Sequence, residues 1–362
     1  MYVVLITTLF ALLLTHFESK GKIRNGLFWG FVMLTTLGVI HYDYGNDYMA
    51  YLNMYHEFNK YQFNFEYIIN GDYFTDPGWT ILCHAFSMLG GFFVMVAVLN
   101  IIQNILVYRF IRSNINKTWW TMAVFIYTCS TNLYLMNFSM MRQGLVVCIF
   151  LGVWELIKNK KCWWALLVLY ISTFIHKSSI ILLPFAFLGF LPKGKGKTWA
   201  IVFSVLLLLL WYSGAFLNTI FSSFMDIEEI QGYIETYSDG EITATYGIGF
   251  VLNLIPLVVG LYYLMTNKDH DCNQKIVIIS MISFIITPFA QIIPLVGRIG
   301  TYFSIYKIAA FPLIYSSVKN HNLRYGLLFI FIFMTLYDYW NFFNVGVFAE
   351  HYSTFHTIFE VL

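Results

Sequence analysis

Apolar positions run along this chain in blocks too long for a soluble helix or strand, and short polar stretches separate them. The first block, Tyr2–Phe17, is followed by Lys20, Lys22 and Arg24, and Leu27–Ile40 crosses back. Residues 41–77 are then polar and aromatic, with six acids and one lysine. Gly78–Ile111 resumes the apolar pattern and is broken at Gly90-Gly91. Trp119–Phe138 and Met140–Ile157 read as a hairpin with Arg142 at its turn. Cys162–Ile175 and Ser178–Leu191 read as a second hairpin, with His176-Lys177 at the turn. Its arms fall short of the roughly 20 residues a spanning helix needs, so they tilt or set the turn below the membrane surface. Thr198–Phe216 crosses again, and residues 217–246 carry six acids and no Lys or Arg. Gly247–Thr266, Lys275–Ala290, Ile299–Val318 and Tyr325–Val345 supply the last crossings.

This pattern predicts an all-α, polytopic transmembrane helical bundle of about ten to twelve helices. Continuous apolar runs, rather than alternation, exclude a β-barrel. Composition agrees: 59% of residues are hydrophobic and 11% charged, where a soluble domain carries roughly 25% charged residues. No repeat and no Gly/Ser-rich or Pro-rich linker divides the chain, so residues 1–362 read as a single polytopic membrane domain with extracytoplasmic segments at about 41–77 and 217–246. The five cysteines are scattered and form no CxxC pair, which excludes a disulfide framework or a zinc site. Tyr2–Phe17 lacks a basic leader and a small-residue cleavage site and reads as the first crossing.

Charge sets the orientation. Of the 21 Lys and Arg residues, all but Lys60, Arg142, Lys177, Arg298 and Lys307 fall in short loops on one side. Such loops resist translocation and mark the cytoplasm, which places both termini and both acidic segments outside. These loops are topology signals, so no nucleic-acid partner is expected. Asp269-His270-Asp271 lies in one of them and reads as a solvated turn, not a metal pair. Of the five exceptions, Lys60 sits in a hydrophilic loop, and Lys307 reads as a structural partner for Glu155 or Asp338. Cations at the outer mouths of membrane helices need a reason, and an anionic substrate on that side is the simplest one.

Arg142 lies in Asn137-Phe-Ser-Met-Met-Arg142-Gln143-Gly144. Its planar fork of donors suits phosphate, and it stands near a helix N-terminus, where free N–H groups favour anions. Gln143 and Asn137 add donors, and Gly144 would let a ligand approach the backbone. His176-Lys177-Ser178-Ser179 repeats the logic, with an imidazole beside an ammonium at a helix start. Arg298 heads Arg298-Ile-Gly-Thr-Tyr302-Phe303. Asp43 and Asp47 are interleaved with Tyr42, Tyr44, Tyr48 and Tyr51, rings that either stack on sugars or form an interfacial belt. Asp76-Pro77-Gly78-Trp79 reads as an N-capped helix start with Pro at its first position, which accounts for that motif structurally.

The ordered set Tyr42-x-x-Gly45-x-Asp47-Tyr48-x-x-Tyr51, Asp76-Pro77-Gly78-Trp79, Asn137-x-Ser139-x-x-Arg142-Gln143-Gly144 and His176-Lys177-Ser178-Ser179 resembles the EpsG-type, Wzy-like polysaccharide polymerases of bacteria. The Arg298-x-x-x-Tyr302-Phe303 stretch fits the later part of that pattern, and the resemblance spans about residues 1–320. His41 stands where the family commonly has Arg, and Asp76 where it usually has Glu. The resemblance implies a metal-independent and cofactor-free glycosyltransferase, related to the C-type glycosyltransferases and O-antigen ligases. It would sit in the bacterial plasma (inner) membrane and face the periplasm or exterior. Its partners would be undecaprenyl-pyrophosphate-linked oligosaccharides, membrane lipids and, by family analogy, a chain-length regulator. It would transfer the growing glycan from the carrier to the terminal sugar of a new repeat unit, with inversion.

On this reading Arg142, Arg298, Lys177 and Gln143 hold the diphosphate, Tyr42, Tyr48, Tyr51, Asn137 and Tyr302 hold sugars, and Asp47 or His176 is the general base. A lipid-linked oligosaccharide flippase is the rival from another class. No paired inverted halves with broken helices are visible to favour it. A membrane acyltransferase using His176 lacks a partner motif.

Overall fold

The computed structural model describes residues 1–70, 74, 76–192, 194–212, 248–266, 271–286, 294–344 and 347–361. The expected acidic segment 217–246 and the pair Asp269, His270 lie outside them. The described chain is helical almost throughout, as the apolar runs predict, and the polytopic all-α class holds. Among the described residues Tyr2–Ser19, Phe92–Asn114 and His321–Asn344 are long and apolar enough to cross a membrane, and shorter apolar helices accompany them. Contacts gather the chain into two compact units, residues 1–191 with 320–362, and residues 192–319.

The first unit opens with α1 (Tyr2–Ser19) and α2 (Gly26–Ile40), which pack together. The polar segment then folds into α3 (Tyr48–Lys60) and α4 (Phe65–Asn70). The expected break at Gly90-Gly91 separates α5 (Pro77–Leu89) from α6 (Phe92–Asn114). These glycines have φ of 133° and 92°, a region closed to most side chains, and so end one helix and redirect the next. On α3, Tyr48, Tyr51, Tyr55 and Phe58 recur at the helical period and are buried against Trp79 and Cys83 of α5 and Phe92 of α6. The tyrosines of this polar segment therefore build part of the core of this unit.

Three expected spans take a different form. Trp119–Phe138 is not one helix: α7 (Trp120–Cys129) stops at Ser130, and α8 (Met136–Ser139) follows a turn. The polar run Ser130-Thr131-Asn132 competes for backbone hydrogen bonds there, and Tyr134 N–H returns to Tyr127 C=O at 3.1 Å. α9 (Met141–Lys158) and α10 (Cys162–Ile175) match their apolar runs. The next arm, Lys177–Phe190, is a 14-residue 3₁₀ helix with Pro184 inside it. At about 2.0 Å per residue it reaches about 28 Å, where an α-helix of the same length reaches about 21 Å. Tighter winding thus gives a short arm nearly the thickness of a bilayer core. In the second unit, Ile299–Val318 is divided into Pro294–Ser304 and Lys307–Ser317, and Tyr306 N–H tightens the junction by bonding Phe303 C=O at 3.2 Å.

The chain ends meet. The N-terminal ammonium donates to the carbonyls of Tyr352 at 3.3 Å and Ser353 at 3.0 Å. His41 and Tyr42 pair antiparallel with Thr357 and His356. The N-terminus, the start of the segment at residues 41–77 and the C-terminal tail therefore share one end of the first unit.

Candidate functional site

At that end α5, α9 and the 3₁₀ arm start close together, and one carboxylate joins them. Asp76 precedes Pro77, the first residue of α5, as expected of a helix start, but its side chain does not cap that helix. Instead Oδ1 accepts the backbone N–H of Lys177 at 2.9 Å. Oδ2 pairs with Arg142 Nη1 and lies 3.5 Å from His176 Nδ1. The reason is local geometry: His176 is extended (φ −151°, ψ 106°), so the first N–H of the 3₁₀ helix points out of the chain and needs a foreign acceptor. A carboxylate at a helix N-terminus is also favoured by the peptide dipoles. The anion that sequence logic sought at this helix start is thus supplied by the protein itself.

Burial alone would raise the Asp76 pKa. Hydrogen bonds from His176 and the Lys177 N–H, with the Arg142 charge, outweigh it and hold the carboxyl below its ordinary 3.8. Asp76 is therefore an anion at neutral pH, and its side chain is only 4% exposed.

Arg142, the second residue of α9, is held on its other sides by aromatic rings. Its guanidinium carbon lies 4.7 Å from the Phe74 ring centroid and 5.5 Å from that of Tyr51. Its Nε donates to the Tyr51 hydroxyl at 3.4 Å. Among the described residues Nη2 has no hydrogen-bond partner, and the side chain is 17% exposed. A cation caged in this way presents one donor edge outward. Lys177 joins the cluster through its backbone N–H, and its side chain is exposed.

Asp76, which sequence reasoning set aside as a helix cap, is the group that unites Arg142, His176 and the backbone of Lys177. Its signal was an acid before Pro in a segment facing unpaired cations. Other candidates are placed differently. Gln143 is 2% exposed and buried in the protein. Gly144 does not open the backbone to a ligand: a Cβ there would lie 2.9 Å from Asn137 Oδ1. Asn137 is itself buried, donating to the Tyr127 hydroxyl at 3.2 Å, which donates on to Asn104. Tyr48 is fully buried and Tyr51 nearly so, so neither offers a face to a sugar; Tyr51 serves Arg142 instead. Tyr42 is half-buried, edge-on to Tyr48 and Phe93.

Asp47 immediately precedes α3, half-buried, with its N–H donating to Ser139 Oγ at 3.2 Å. His41, buried between Tyr48 and Phe138, bonds Gly38 C=O through Nδ1 at 2.7 Å. Burial lowers its pKa to about 4, against the raising effect of that bond, so it is a neutral core residue. Exposed Lys60 pairs with Glu57. Glu155 is engaged by Asn114 and Lys158. In the second unit, Arg298 is half-buried on Pro294–Ser304, Tyr302 of the same helix is fully buried, and the Lys307 ammonium stands 4.5 Å over the Phe284 ring.

Compared with known proteins, residues 26–354 match the model of the EpsG family. No curated protein and no solved structure matches the chain.

Proposed function

The chain belongs to the EpsG family, and from that premise we propose that it is a polysaccharide polymerase that uses the Arg142 cluster to bind a lipid-linked diphosphate. The observation that carries the proposal is the caged guanidinium of Arg142, fixed by Asp76, Tyr51 and Phe74 with a donor edge left over. The donor is a glycan on undecaprenyl pyrophosphate and the acceptor is the terminal sugar of a second lipid-linked repeat unit, at the outer face of the plasma membrane.

An acceptor hydroxyl attacks the anomeric carbon of the donor's first sugar. A new glycosidic C–O bond forms, the carbon–oxygen bond to phosphate breaks, and the diphosphate leaves with the electron pair. In-line attack inverts the anomeric centre. The leaving group is already a good one, so the protein's task is orientation and charge neutralisation. Arg142 and Lys177 supply positive charge. The hydroxyl proton passes to a base. His176 is favoured over Asp47 because it shares Asp76 with Arg142.

The test is purified protein in liposomes with a lipid-pyrophosphate repeat unit. A ladder of polymer supports the proposal. Translocation of the repeat unit without a ladder replaces it with a flippase.

A further inference from the structure

Resting on the polymerase reading, we propose that Asp76 is a positioning residue that competes with the bound diphosphate for Arg142, and so allows the spent carrier to leave. Asp76 is the more deeply buried partner: its side chain is 4% exposed and that of Arg142 17%. The carboxylate is anchored independently of any ligand, because its Oδ1 is tied to the Lys177 N–H at 2.9 Å. The guanidinium is confined by Phe74 and Tyr51, so it cannot turn away from Asp76 when an anion arrives at its outer edge. Ligand and carboxylate must then share one cation at short range.

The consequence depends on ligand charge. In the donor, the diphosphate is esterified at both ends and carries about two negative charges. After transfer one end is free, and the carrier diphosphate gains up to one more charge above the second phosphate pKa of about 6. Fixed cations alone would therefore hold the product more tightly than the donor, and the enzyme would stall on its own leaving group. Repulsion from a fixed carboxylate grows in proportion to ligand charge. It penalises the product more than the donor, so Asp76 trims the very affinity that would block turnover. Asp76 also keeps Arg142 neutralised and oriented when the site is empty, which avoids an uncompensated half-buried charge.

The experiment measures inhibition of the full-length protein in detergent–lipid micelles by a polyprenyl diphosphate, alongside the KM for the lipid-linked repeat unit. Asp76→Asn is expected to lower the Ki for polyprenyl diphosphate about tenfold while KM falls less than about threefold and kcat drops. Asp76→Glu, which restores the charge, is expected to stay within about twofold of wild type in both. Asp76→Ser gives a second neutral variant that still offers an acceptor to the Lys177 N–H. A purely structural Asp76 predicts the opposite for the neutral variants, with weaker binding of donor and product alike. An unchanged or raised Ki, an Asp76→Glu enzyme that behaves like Asp76→Asn, or failure of both neutral variants to fold would overturn the proposal. A wild-type protein that neither builds a ladder nor responds to polyprenyl diphosphate removes the polymerase reading itself, a result distinct from an altered ranking among the variants.

Discussion

Asp76 Oδ1 and the backbone N–H of Lys177 meet at 2.9 Å across 101 positions of sequence. One side chain therefore terminates a helix that belongs to a different part of the chain. Because the Asp76 pKa is held below 3.8, the stabilisation from this junction is complete above pH 3.8 and is lost only as pH falls through the lower folded value. Denaturation of wild type and Asp76→Asn at a series of pH values should show a constant difference from pH 8 to pH 5. A difference that closes within that interval contradicts an ionised, bonded Asp76.

Arg142 is expected to tolerate no replacement. Arg142→Ala should reduce polymer formation by at least about 10²-fold in protein that still inserts, the order seen when a donor to transition-state charge is removed. Arg142→Lys should recover little, because an ammonium cannot bond Asp76, Tyr51 and a phosphate from one plane. Wild-type chain lengths from either variant on a gel of lipid-linked products would remove Arg142 from the site.

The choice of base separates His176 from Asp47. His176→Ala should lower kcat by about 10²–10⁴-fold with little change in donor binding. Asp47→Ala should cost less than about tenfold, because Asp47 is joined to Ser139 rather than to the Asp76 cluster. Single-turnover rates with preformed donor complex decide between them, and the reverse ranking would make Asp47 the base.

His41 predicts a pH-dependent stability that is independent of catalysis. Its pKa is lowered from 6.5 to about 4 by burial. Between those values the unfolded chain takes up a proton that the folded chain refuses. Stability is thus full above pH 6.5, falls as pH drops toward 4, and then levels. The span corresponds to roughly 3 kcal/mol. Thermal unfolding between pH 7 and pH 4.5 should show this decline, and His41→Phe should flatten it. A slope that survives the substitution would assign the decline to other groups.

How much of this was legible beforehand follows from the range over which each feature is encoded. Tyr2–Ser19, the Gly90-Gly91 break and Cys162–Ile175 are written in local runs of apolar residues and in the φ angles only glycine readily takes. Arg142, Lys177 and Arg298 could be singled out beforehand because they lie apart from the basic short loops. The burial of the α3 tyrosines was not legible, because an aromatic stripe at helical spacing looks the same whether it faces sugars or a core. Only packing against Trp79 and Phe92 decides which.

The sequence by itself determined an all-helical membrane protein, since hydrophobic length acts residue by residue. Tertiary structure alone decided that Asp76 joins Arg142, His176 and Lys177, and that Gln143, Asn137 and Tyr48 turn inward. The physical reason is that an ion pair between residues 66 positions apart depends on where three helix ends converge. No local propensity carries that information.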